Sequence, residues 1–119
     1  GLVYNTFPYM GDGIIPIEYG NLGFIDPFEN PVTAQFHHRL LASITLIIII
    51  IYSIHYIISN PKNLRILLLL FAIVCQFIIG IFTLLYSVPI TLGAMHQFVG
   101  VLLFLSALWV LHSPKKNTF

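Results

Sequence analysis

Three long apolar runs dominate the sequence and leave few choices for its fold. They cover residues 40–58, 67–86 and 90–111, and short polar breaks separate them. A helix needs about 20 apolar residues to cross the hydrocarbon core of a bilayer, and each run is near that length. Every backbone N–H and C=O in hydrocarbon must be bonded within its own segment, which favours helices. The sequence therefore predicts an all-α membrane protein with three transmembrane helices.

Turn and cap signals set the limits of the predicted segments. Asn30 and Pro31 suit the N-cap and first position of a helix, so the first helix is predicted to begin upstream of its apolar run. The segment before it is rich in turn residues and holds all four carboxylates, with a short surface helix expected within 14–28. The predicted segments are an outer-face polar loop at 1–32, transmembrane helices at 33–58, 64–86 and 90–112, and an inner-side basic tail at 113–119.

Composition and charge exclude several classes of protein. The chain is 58% hydrophobic and 8% charged, whereas a soluble domain carries about a quarter charged residues. The lipid bilayer is therefore the expected surrounding. A net charge of +1 is too small to indicate a nucleic-acid partner. The single cysteine, Cys75, lies in an apolar run and excludes an internal disulfide.

The distribution of basic residues predicts the orientation. Lys62 and Arg65 lie in the first interhelical turn, and Lys115 and Lys116 follow the third helix. Three helices place these two regions on one side, which the positive-inside rule assigns to the cytoplasm or matrix. Residues 1–32 then lie outside, in a bacterial inner membrane or a mitochondrial inner membrane.

Two histidines are predicted to lie at one depth in the membrane. His38 and His96 each follow the start of a helix that runs inward, which puts both rings roughly 7–9 Å below the outer end. Two imidazoles on neighbouring helices can be the axial ligands of one heme iron. Gly93 and Gly100 share the helix face of His96 and would leave room for a flat macrocycle. They would equally serve close packing of membrane helices.

Arg39 is the one basic residue on the outer side, and it has two interpretations. Its guanidinium could pair with heme propionates, or it could extend to lipid headgroups. His37 points about 100° away from His38 on a helix, so the two cannot face the same iron.

His55 and His112 raise the alternative of a carrier with two hemes, one in each leaflet. His55 is rotated from His38 by about 100°, and His112 from His96 by about 160°, so neither pair shares a helix face. Gln76 and Gly80 do share one face of the second helix. A glutamine this deep in the membrane is expected to hydrogen-bond a neighbouring helix or to face a cavity.

Several motifs resemble the C-terminal half of heme A synthases, and together they cover nearly the whole chain. They are Gly1-Leu2-Val3-Tyr4-Asn5-Thr6-Phe7-Pro8, Phe28-Glu29-Asn30, Gln35-Phe36-His37-His38-Arg39 and Met95-His96-Gln97. In that family eight transmembrane helices form two similar four-helix halves. The family oxidises the C8 methyl of heme O to a formyl group, giving heme A for terminal oxidases.

The resemblance implies roles for particular residues. His38 matches the histidine that precedes arginine in the family motif, and His96 matches the one that precedes glutamine. Both would ligate a heme b cofactor, while the N-terminal half would hold the heme O substrate. The family often has an aliphatic residue in place of His37, which favours His38 as the ligand.

The resemblance also implies that the chain is a fragment, a split product or a remnant. The sequence begins without methionine, and it lacks the N-terminal half and the first helix of the C-terminal half. The expected partner is that N-terminal half or another copy of the chain, and no activity is expected without it. Two alternatives stay open, namely a b-type cytochrome that transfers electrons in the membrane and a non-catalytic remnant.

Overall fold

A computed structural model describes residues 3–112, and the predicted basic tail at 113–119 lies outside the described residues. A short 3-10 helix, Gly23–Ile25, precedes four α-helices. The described residues form no strand, and three of the helices are long and apolar enough to cross a membrane. The predicted all-α membrane fold is thus confirmed. The helices are α1 (Asp26–Glu29), α2 (Pro31–Ser59), α3 (Leu64–Leu85) and α4 (Ile90–Leu111).

Asparagine caps fix the starts of the first two long helices. The Asn30 side chain accepts a hydrogen bond from the backbone N–H of Val32 at 3.0 Å, and Pro31 occupies the first turn. α2 therefore begins two residues before the predicted position 33. With 29 residues it is about 43 Å long, well over the roughly 30 Å of a bilayer core. Asn63 caps α3 in the same way.

A tight turn joins α3 to α4. Ser87 and Val88 both have positive φ, at 58° and 54°, a conformation that is uncommon for residues with a side chain. Two backbone hydrogen bonds hold them there, from Val88 N–H to the Thr83 carbonyl at 2.8 Å and from Ser87 N–H to the Leu84 carbonyl at 3.0 Å. α4 consequently reverses direction at once and packs along α3.

The central helix, α3, provides most of the contact between the long helices. It packs against both α2 and α4, whereas no Cα atom of α2 lies within 8 Å of one in α4. Ile66, Leu69 and Ile73 are buried along one face of α3. Most other large apolar side chains of the three helices are exposed, as expected where lipid is the solvent.

A buried carboxylate organises the segment that precedes α2. Asp26 is 1% exposed and accepts hydrogen bonds from the backbone N–H groups of Gly20 and Leu22, from Asn30 Nδ2 and from Thr33 Oγ1. Burial by itself would raise the pKa of Asp26, but the hydrogen bonds from Thr33, Asn30, Leu22 and Gly20 outweigh it and hold the pKa well below its usual range. The ionised carboxylate thus ties the loop to both α1 and α2.

Replacing Asp26 is expected to loosen this loop. Asp26→Ala leaves four donors without their common acceptor, so the amides of Gly20 and Leu22 should exchange with deuterium faster. The native pKa is depressed, so the contribution is complete well above the unfolded pKa of about 3.9 and is lost as the pH falls through the lower native value.

Hydrogen–deuterium exchange of the detergent-solubilised protein at neutral and acidic pH, corrected for intrinsic rates, measures both effects. Ser106→Ala, which removes a hydroxyl bonded to its own helix, is the control. Unchanged protection of Gly20 and Leu22 in Asp26→Ala would contradict the assigned role.

Candidate functional site

A cavity of about 310 Å³ lies where the backbones of α2 and α4 stand apart over α3. It lies at the end of the bundle formed by the start of α2, the end of α3 and the start of α4. Phe7 of the N-terminal segment also lines it and contacts Phe77 of α3 edge to face, with 6.2 Å between ring centroids. Apolar side chains form most of the wall. The polar side chains in the wall are Gln35, His38, Arg39, Thr45, Gln76, Thr83 and His96.

His38 and His96 face each other across this cavity. Their ring centroids are 6.2 Å apart and their planes are inclined at 72°. The rings span a gap that the backbones of α2 and α4 leave open. His37 does not line the cavity, and its Nε2 lies 3.2 Å from the Tyr19 hydroxyl instead. The structure therefore brings together the two histidines that the sequence singled out.

α3 supplies the immediate surroundings of His96. Gln76 Nε2 lies 3.3 Å from His96 Nε2, so the glutamine bonds a neighbouring helix, one of the roles considered from the sequence. A Cβ atom on Gly80 would lie 2.9 Å from His96 Cε1, so only glycine leaves room for the ring in this position. His96 Nδ1 and Gln76 Oε1 are buried without a hydrogen-bond partner.

Arg39 holds the N-terminal segment against the cavity. Its Nη1 donates to the carbonyls of Thr6 at 2.9 Å and Tyr9 at 3.4 Å, and its Nη2 donates to the carbonyl of Tyr4 at 2.9 Å. Gln35 adds two hydrogen bonds with the backbone of Tyr4. This contact with backbone carbonyls was not among the roles considered from the sequence. The Arg39 Nε is buried without a partner, so its N–H has no acceptor in the protein.

The other residues named from the sequence lie outside the cavity wall. A Cβ atom on Gly100 would meet Gln76 Nε2 at 3.1 Å, and one on Gly93 would meet Val88 Cγ1 at 3.6 Å. Both glycines therefore face protein side chains rather than the open cavity. His55 and His112 do not line it either. The sequence interpretation did not include Phe7 or Gly80 in the site, because only the contacts between segments show that they reach it.

The two histidines suit a prosthetic group better than a bare metal ion. No cluster of three or more His, Cys, Asp or Glu side chains that could hold a metal occurs within residues 3–112. Two imidazoles leave most of an octahedral coordination sphere unfilled, and a porphyrin supplies four in-plane nitrogens. With metal–imidazole bonds of about 2.0 Å, the 6.2 Å centroid separation accommodates one metal. The residues present fit a heme.

Fold and site together define an all-helical membrane protein with a histidine-lined cavity between its helices. Residues 1–108 match the family model COX15-CtaA, described as cytochrome oxidase assembly protein. The chain belongs to this family.

Individual relatives agree with the family match. The chain is 41% identical to the heme A synthase of Nitrosospira multiformis, over 98% of this chain and 34% of that protein. It is also 41% identical to the heme A synthase of Rickettsia bellii, and that match covers 99% of this chain and 36% of the Rickettsia protein. The identity to the heme A synthase of Wolbachia pipientis wMel is 36%, and that match covers 99% of this chain and 33% of the Wolbachia protein. The resemblance to heme A synthases is confirmed. The chain spans about a third of the length of these relatives, and no solved structure matches it.

Alanine substitutions at Gly80 and Gly93 should differ in their effect on stability. Gly80→Ala forces the His96 ring to move, because the new Cβ lies 2.9 Å from Cε1. We expect a loss of about 1–3 kcal/mol in the free energy of unfolding, as is typical of overpacking. Gly93→Ala meets only an ordinary contact at 3.6 Å and should be neutral or slightly stabilising. Thermal unfolding in detergent compares them, and equal stabilities would contradict this geometry.

Removing the Arg39 guanidinium should release the N-terminal segment. In Arg39→Met the Thr6 carbonyl loses its donor and the Tyr4 carbonyl keeps only Gln35 Nε2, so protease cleavage within residues 3–9 should become faster. Ser43→Ala, one turn along α2, removes a hydroxyl that bonds only the Arg39 carbonyl and is the matched control. Equal cleavage of the variant and the control would show that Arg39 does not hold the segment.

Proposed function

We propose that this chain forms the part of a heme A synthase that binds a heme b cofactor. The whole enzyme would oxidise the C8 methyl of heme O to a formyl group. The observation that carries the proposal is the His38–His96 pair, which faces across a mainly apolar cavity at a spacing that accommodates one metal. The family membership and the heme A synthases among the relatives support it.

In this proposal each residue of the cavity has a defined task. His38 and His96 would hold the heme through its iron. Arg39 keeps the N-terminal segment folded over the outer end, and its remaining Nε–H is a donor for a propionate carboxylate. Phe7 shields the cavity from water. Gly93 and Gly100 are predicted to make room for the macrocycle. They would do so indirectly, by leaving space for the Val88 and Gln76 side chains that they face.

Bound heme b would supply one-electron transfer, and the protein would control its access and its potential. An apolar surrounding and imidazole ligation are the means by which a helical bundle sets these properties. Substrate heme O would be bound by the portion of the enzyme that corresponds to the unmatched two thirds of the relatives. That portion, or another copy of the chain, is the proposed partner.

The proposed orientation places the cavity near the outer face of the membrane. Lys62 lies in the turn between α2 and α3, and Arg65 lies in the first turn of α3, at the opposite end from His38 and His96. The positive-inside rule assigns that turn to the cytoplasm or the matrix. The cavity and its covering segment would then face the outer side of a bacterial or mitochondrial inner membrane.

Absorption spectroscopy of the purified chain tests the heme site. The wild-type protein should show a Soret band, and His38→Ala or His96→Ala should abolish or strongly shift it because each removes one of the two imidazoles that would hold the heme. His55→Ala, on the same helix as His38 but outside the cavity, is the matched control and should leave the band unchanged. A wild-type chain without a Soret band, or a band indifferent to both substitutions, would refute the proposal.

A second measurement tests the synthase activity itself. The chain is coexpressed with the unmatched portion of a relative such as the Nitrosospira multiformis protein, and the extracted hemes are separated by chromatography. Formation of heme A, lost in His38→Ala, supports the proposal. Bound heme b with heme O left unconverted would favour the alternative of a b-type electron-transfer cytochrome.

A further inference from the structure

We propose that Gln76 is a positioning residue that sets the orientation of the His96 imidazole and thereby tunes the heme it would ligate. The inference rests on the proposed heme-binding function and deepens it. Gln76 lies on α3 and His96 on α4, so the contact between them also fixes how these two helices meet.

The first observation is the hydrogen bond itself. Gln76 Nε2 lies 3.3 Å from His96 Nε2, and both side chains line the cavity. An imidazole that binds metal through one nitrogen carries its proton on the other, and that N–H needs an acceptor. As placed, Gln76 Nε2 can only donate to His96 Nε2, and a half-turn of the amide would bring Oε1 to the same place as the acceptor for an Nε2–H.

The second observation is that two glycines accommodate this pair of side chains. Gly80 lies beneath the His96 ring, where a Cβ would come within 2.9 Å of Cε1. Gly100 lies beneath the Gln76 amide, where a Cβ would come within 3.1 Å of Nε2. Each helix thus provides a glycine for the polar side chain of the other, and the pair is confined on both sides.

The third observation concerns polar atoms without partners. His96 Nδ1 and Gln76 Oε1 are both buried and unpaired. A buried polar group without a partner is costly, above all within a membrane. Two such atoms beside one cavity indicate a pair of side chains whose bonding is completed when a further group binds. A residue that only joined two helices would not need to leave its acceptor without a donor.

The test compares heme binding by variants of the full chain in detergent. Gln76→Leu keeps much of the volume and removes the hydrogen bond, so we expect heme affinity to fall about 10-fold, within the range known for partners of metal ligands. The low-spin electron paramagnetic resonance signal, which reports imidazole orientation, should shift as well. Gln76→Glu retains an acceptor and should recover most of the affinity. Cys75→Ala, at the neighbouring position of α3, is the matched control.

Gly100→Ala gives an independent test that leaves both polar side chains in place. The added methyl group displaces the Gln76 amide without touching His96, so it should weaken heme binding in the wild-type background. In the Gln76→Leu background the same change should have little further effect, because the group it displaces is already gone. Gly100→Ala also carries the test where Gln76→Leu fails to fold.

The outcomes separate this inference from the proposed function. A wild-type chain that binds no heme overturns the proposed function and this inference with it. A wild-type chain that binds heme, with affinity and resonance signal unchanged in Gln76→Leu and Gly100→Ala, overturns the inference alone. Additive effects of the two substitutions would also contradict it, since they would show that Gly100 acts independently of Gln76.

Discussion

The bilayer core provides no water to satisfy polar groups, and the rest of the structure depends on that constraint. Backbone groups are bonded inside three long helices, and most large apolar side chains face outward to lipid. Several polar side chains within the helices have partners in the protein. Gln76 and His96 meet each other, and Arg39 meets the carbonyls of the N-terminal segment. These contacts lie around one cavity, so the lack of water that favours the helices also favours bringing these polar side chains together.

The arrangement of the helices explains why this cavity exists. α3 packs against both neighbours, while α2 and α4 remain apart along their length. Glycines at 80 and 100 let α3 and α4 approach closely, and no comparable contact joins α2 to α4. His38 and His96 therefore reach into a gap between helices rather than into a packed core. The segment that precedes α2 completes the enclosure through Phe7 and is itself held by Asp26 and Arg39.

Much of the site could be predicted from the sequence, but the role of several residues could not. The similar distance of His38 and His96 from the starts of their helices follows from counting residues along α2 and α4, and their rings lie 6.2 Å apart in the structure. The function of the glycines depends on which helix packs against which. Gly100 shares a helix face with His96, yet the neighbour on that face is Gln76 rather than open space. The contacts of Arg39 could not be predicted from the sequence either, because its partners are carbonyls about 30 residues away in the chain.

The sequence by itself determined the class of fold, the number of long helices and the pairing of one histidine on α2 with one on α4. Hydrophobic length and cap residues act locally, so they can be recognised without knowing any contact between segments. The tertiary structure alone decided the lateral order of the helices, the covering of the cavity by Phe7 and the contact of Gln76 with His96. Those features depend on side-chain packing between distant segments, for which no local pattern in the chain exists.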